Sequence, residues 1–234
     1  MKQSVKSPKL SSQERRAAIL KSVQNVFAQK GFDGTTTREL SDAAGVSEAL
    51  LFKHFPNKEA LFSAMQESLC SEQDQVRYDR LTALEPSALT LVLMVHFLFS
   101  RLVSRSMSGD EEFANQMRLM LRSLAEDGDF SRILFRRPAT RWVPKVEECV
   151  QAAVASGDMP ASPLLANLRG WFVQHLAVMV SLVTIPDKPV ADYGVPQEKL
   201  VEEAVWFALR GMGMPDEAIR RYYNPQALSL LGTL

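Results

Sequence analysis

Apolar residues recur along this chain at helical spacing, and no stretch alternates with the period of two that a half-buried strand requires. The first stripe is Ile19, Val23 and Phe27, flanked by Leu20 and Val26, and it opens with Ser11 followed three residues on by Glu14. That spacing is a capping box, in which a hydroxyl and a carboxylate each satisfy an amide left unpaired by the first turn. Gly31 stops the helix. Thr36 and Glu39 repeat the box ahead of a short face of Leu40, Ala43 and Ala44, and Gly45 ends it, because glycine adopts left-handed backbone at little cost. Val46 sits in the turn. Ser47 caps another short helix whose buried side carries Leu51 and Phe55 at i, i+4. Pro56 ends that helix, and Asn57 caps a longer one through Leu61, Phe62, Met65 and Leu69.

Beyond a polar stretch and a break at Glu85-Pro86-Ser87, the pattern predicts six more helical segments. Residues 88–107 are apolar nearly all round, as in a helix buried within a bundle. Residues 111–128 are amphipathic, with Phe113, Met117, Met120, Leu121 and Leu124 on one side and Gly128 as the stop. Residues 129–157 read as one or two helices interrupted at Pro138 and Pro144. Residues 163–184 form another long apolar helix, and residues 197–211 an amphipathic one with Leu200, Ala204, Phe207 and Leu209. A short final helix reaches Tyr223. The expected fold class is all-α.

Two short helices joined by a glycine-containing turn with an apolar residue in it describe either a helical hairpin in an all-α core or a helix-turn-helix. In the second case the later helix enters the DNA major groove. The run ERRAAILKSVQNVFAQKGFDGTT contains Gly31-Phe32-Asp33-Gly34-Thr35-Thr36, which matches the pattern G-[FY]-x-x-T-T. TRELSDAAGVSEALLFKHFPNKEALF follows the pattern T-x-x-x-I-A-x-x-A-G-V-S-x-x-x-L-Y-x-H-F-x-x-K-x-x-L. On these pieces, residues 14–62 of 234 resemble the N-terminal domain of the TetR family of bacterial transcription regulators. The rest of the chain fits that family by length and helical character only.

The resemblance implies a three-helix helix-turn-helix domain at residues 11–57, preceded by a basic arm at 1–10. A larger helical-bundle domain for effector binding and dimerisation follows at 58–234, with 58–80 as a connecting helix. It implies a homodimer on double-stranded DNA, acting most often as a ligand-responsive repressor at a palindromic operator. A DNA-binding structural or protein-interaction protein without an effector is the alternative. Thr37 is expected on a phosphate, and Arg38 on a base edge or else on phosphate. Ser47 bonds phosphate, caps its helix, or does both. Ala49 is small enough to let the helix approach the bases. Glu48 either accepts from cytosine N4 or favours the helix N-terminus through its dipole. Phe52 stands where the family usually has tyrosine, so a phosphate-bonding hydroxyl is missing. Lys53 and His54 are expected backbone contacts, with a place in the core as the alternative for His54, and Lys58 is aimed at phosphate.

In the larger domain the resemblance implies a cavity for a largely apolar small molecule, with Met94, Phe97, Met117, Met120, Trp142, Trp171 and His175 as candidate lining. Methionine-rich interiors adapt readily to ligands, although most such residues simply fill a core. The last two long helices are expected to pair with their copies through Ala177, Leu200, Ala204, Phe207 and Gly211.

Charge and chemistry change this picture little. Lys+Arg and Asp+Glu are both 27, yet residues 1–60 carry ten basic side chains against six acidic ones. That asymmetry suits a nucleic-acid-facing end. Cys70 and Cys149 are far apart in sequence and read as reduced thiols. No glycine-rich phosphate loop, nucleophile elbow or metal-ligand spacing is present, so neither enzyme nor metal or other cofactor is expected. The first ten residues lack the apolar core of an export signal, and the longest apolar runs are interrupted by polar groups. A cytoplasmic protein with no membrane partner is the expectation.

Overall fold

The computed structural model describes residues 10–68, 72–126, 128–226 and 228. The expected basic arm, apart from Leu10, and Cys70 lie outside them. The described residues form twelve α-helices and one π-helical turn, with no strand among them. They divide into two compact units. The head comprises residues up to 70 together with Asn115–Ser131. The body comprises Ser71–Ala114 and Arg132–Leu234.

In the head, α1 (Ser12–Lys30), α2 (Thr37–Ala44), α3 (Glu48–His54) and α4 (Lys58–Ser68) enclose one core. Both capping boxes form as the spacing requires. Ser11 accepts from the Glu14 amide and Thr36 from the Glu39 amide, while each glutamate reaches back to its cap residue. Gly45 is left-handed, with φ 62° and ψ 31°, so the turn into α3 is set by a residue without a Cβ penalty. Val23, Phe27, Leu40, Leu51, Phe55, Leu61 and Met65 are all buried. Phe62 packs on Phe27 and Phe32, with ring centroids 4.8 and 5.2 Å away, respectively.

Glu39 also pairs with Lys30 of α1. The Lys30 bond and the two from Thr36 lower the carboxyl from 4.5 to about 2. Because the folded value is the depressed one, this stabilisation is complete above pH 4.5 and disappears as pH falls towards 2. Glu39→Gln should therefore melt below the wild type at neutral pH, and the gap should narrow across that window. A gap that stays constant from pH 7 to 2 would contradict this assignment.

Residues 115–131 of the head include most of α7 (Glu111–Ala125). Met117, Leu119 and Met120 are buried there, whereas Leu121 and Leu124 are exposed, against expectation. Ser123 takes the buried place. Its Oγ accepts from the Ser131 amide at 3.2 Å, and Ser131 Oγ donates to Met120 O at 3.0 Å, so the following segment closes over the serine.

The body is built round α6 (Ala88–Met107), capped by Ser87 and packed against α5 (Glu72–Thr82), α9 (Val143–Ala155), α10 (Ala166–Leu182), α11 (Gln197–Gly211) and α12 (Asp216–Tyr222). By length and composition α6 could cross a membrane. Its partners explain the apolarity instead, since Leu91, Val92, Met94, Val95, Phe99 and Val103 are sealed in the core. Residues 58–80, expected as one connecting helix, contain α4 and part of α5, with residues 69–71 between them outside the described set.

The chain does not break at Pro138. α8 (Asp129–Arg137) passes into a π-helical turn, Pro138–Trp142, and straight on into α9. Widening the turn accommodates a residue that has no amide to donate. The Thr140 hydroxyl donates to Arg136 O at 2.9 Å. Gly170 brings α10 against α9, where a Cβ would already touch Val143 at 3.4 Å.

Candidate nucleic-acid interface

α3 is seven residues long and has two distinct sides. Leu51 and the following Phe55 anchor it in the head core, each 1% exposed. Glu48, Ala49, Phe52 and Lys53 form the solvent side, and Ser47 and Arg38 are exposed beside them. Ser47 accepts from the Leu50 amide at 3.2 Å, so its capping role is real. Asn57 Oδ1 accepts from the Ala60 amide at 2.7 Å and starts α4.

Three of the expected contact residues also have partners within the head. The Thr37 hydroxyl donates to Glu48 Oε2 at 2.9 Å, bridging the first residues of α2 and α3, instead of standing free for a phosphate. Lys58 is half-buried, with its Nζ 4.3 Å from the centroid of the Phe32 ring. His54 is half-buried beside Phe55, and it is the His54 backbone carbonyl that is engaged. Arg16 of α1 supplies that bond at 2.8 Å, and its guanidinium lies 4.1 Å above the Phe55 ring. Arg16 therefore holds the C-terminal end of α3, where the unpaired carbonyls favour a cation. Nothing near Arg16 in sequence announces this role, because its partner is 38 residues away.

Met117 and Met120 belong to the head, while Met94, Phe97, Trp142, Trp171 and His175 belong to the body. Met94 and Trp142 are buried, and Phe97 and Trp171 are half-buried. His175 is exposed, stacked on Trp171 with centroids 5.6 Å apart and edge-on to Phe135. It shares the outer side of α10 with Leu168, Phe172 and Met179, three or four residues apart, and all are exposed. His96 behaves as a core histidine. Its ring lies 3.2 Å from Ser100 Oγ and 3.4 Å from the Tyr223 hydroxyl, and burial lowers its pKa.

Of the five candidate dimer residues, Ala177 and Leu200 are buried in the body's own core and Ala204 packs against it. Phe207, 68% exposed, and Gly211 remain at the surface. These two line a groove of about 250 Å³ with Leu168, Phe172 and Leu176 of α10. None of the candidate effector residues lines it.

Residues 19–65 match the family model described as "Bacterial regulatory proteins, tetR family". That match runs from within α1 into α4 and covers the helix pair α2 and α3. The segment is similar to the nucleoid occlusion factor SlmA of Mannheimia succiniciproducens, 39% identical over 69 residues, which are 29% of this chain and 32% of that protein. It is also similar to the HTH-type transcriptional repressor AcnR of Corynebacterium diphtheriae, 41% identical over 51 residues, 22% of this chain and 27% of the relative. The chain thus spans less than a third of the length of these curated relatives. The TetR-like fold extends further. The crystal structure of AibR in complex with isovaleryl coenzyme A and operator DNA aligns over 83% of this chain and 97% of its own, with a TM-score of 0.60 at 17% identity.

Proposed function

We propose that the protein is a sequence-specific DNA-binding transcription regulator, cytoplasmic and homodimeric, that represses from a palindromic operator and releases it when a small apolar effector binds the body. The observation that carries this reading is the two-sided α3 within a TetR-family head, with Leu51 and Phe55 inside and Ala49, Phe52 and Lys53 facing solvent. Arg38, Ser47, Ala49 and Lys53 are the proposed duplex contacts. Thr37, His54 and Lys58 serve the head's own structure first. Most of the affinity would come from phosphate contacts and fall steeply with salt. Met94, Phe97, Trp142 and Trp171 are the body residues proposed for the effector. An effector shifts occupancy of the operator only by its difference in affinity between the two states of the protein.

Selection of duplexes from a random pool tests the proposal. Enriched sequences should be palindromic, with half-site centres one helical turn, about 34–36 Å, or a multiple of it apart. A pool that emerges without enrichment would remove the DNA-reading function. The second reading is DNA binding without an effector. Selection repeated across a library of apolar small molecules separates the two, because only the first reading requires a compound that lowers duplex retention.

A further inference from the structure

Glu48 is an unusual occupant of a duplex-facing surface. A carboxylate there is repelled by phosphate, and its oxygens can only accept hydrogen bonds. One of its oxygens is already committed. Oε2 receives the Thr37 hydroxyl at 2.9 Å across the angle between α2 and α3. The other, Oε1, has no partner among the described residues, and the side chain is exposed on the same side of α3 as Ala49 and Phe52. The bond to Thr37 removes rotamer freedom that an exposed glutamate otherwise keeps, so Oε1 is presented in a restricted direction.

We infer that Glu48, oriented by Thr37, is a specificity-determining residue that reads an exocyclic amino group of a base in the major groove, and that the base is cytosine. This rests on the DNA-binding reading above. The choice among bases follows from their edges. Guanine offers two acceptors and thymine a carbonyl oxygen, and both oppose a carboxylate. Adenine has an amino donor, but its N7 acceptor sits beside it. Cytosine presents the N4 donor alone. The same charge that costs affinity on every duplex is thereby compensated on one, which gives discrimination by penalising the alternatives. Thr37 acts through Glu48 and is a positioning residue.

The test is duplex selection with the full-length wild type and with Glu48→Gln, Glu48→Ala, Thr37→Val and Thr37→Ser, each first shown to melt like the wild type. The wild type should enrich cytosine at one position per half-site, preferred about ten-fold over the other bases, within the range of a good base contact. Glu48→Ala should lose that preference while retaining the rest of the site, and should bind random duplex more tightly than the wild type. Glu48→Gln, whose amide both donates and accepts, should broaden the position. Thr37→Val should weaken the cytosine preference with an unchanged salt slope, and Thr37→Ser should restore it. If Glu48→Ala keeps the same base preference at every position, or if the selected base is adenine, the inference is overturned while the DNA-binding reading stands. If the wild type enriches nothing, both fall together. If Thr37→Val and Thr37→Ser behave alike, Thr37 has no positioning role.

Discussion

Phe55→Ala should destabilise the head by about 3–5 kcal/mol and abolish duplex binding, the cost of deleting a large buried aromatic. Phe55 is 1% exposed and closes the C-terminal end of α3, with the Arg16 guanidinium above its ring. Its loss takes away the seat of α3 and half of what holds Arg16 in place. Phe52, three residues earlier, is 38% exposed. Phe52→Ala should therefore move stability by no more than about 0.5 kcal/mol, as expected of an exposed position, and should act only on affinity. Amide hydrogen exchange in α1 to α4 reads the head separately from the body, which a whole-chain melt does not. Comparable loss of protection in both variants would mean that α3 sits in the head the other way round.

The head was legible because its decisive contacts are local. Ser11 with Glu14, Thr36 with Glu39, Ser47 with Leu50 and Asn57 with Ala60 each span three residues, so spacing alone announces them. What spacing does not carry is the meeting of residues brought together by the fold. Thr37 and Glu48 are 11 apart, and Arg16 and His54 are 38 apart. A polar residue expected on phosphate was consequently found bonded to a neighbouring helix. The body was less legible for a different reason. α10 is apolar on both sides, with Val173, Ala177 and Val180 buried and Leu168, Phe172 and Met179 exposed. Periodicity identifies a face by contrast with a polar one, and here the contrast is missing. The same ambiguity placed His175 in an interior and Ala177 on a surface, the reverse of what the structure shows. At Pro138 the missing amide marked an irregularity correctly, but a helix has two responses to it, a break or a wider turn, and only packing chooses.

The exposed apolar residues of α10 and α11 are also where the second large effect is expected. Leu165, Phe172, Met179 and Phe207 are each more than half exposed. Leu165, Phe172 and Phe207 share the groove, and exposed apolar surface of this kind suits the proposed two-fold pairing, which would place it against its own copy. Phe207→Glu should therefore turn the proposed dimer into a monomer. The side chain is 68% exposed, so the body's melting should stay close to the wild type. Binding to a palindromic duplex should fall by about a hundred-fold or more, because two linked half-site contacts are replaced by one, while affinity for an isolated half-site is preserved. Leu200→Ala should do the opposite. Leu200 is 7% exposed and belongs to the body's core, so its truncation should cost about 2–5 kcal/mol of stability and leave the association of folded chains unaltered. Sedimentation of both variants, read beside their melting curves, separates the outer surface from the core. A Phe207→Glu protein that still sediments at twice its chain mass would put the interface somewhere other than α10 and α11.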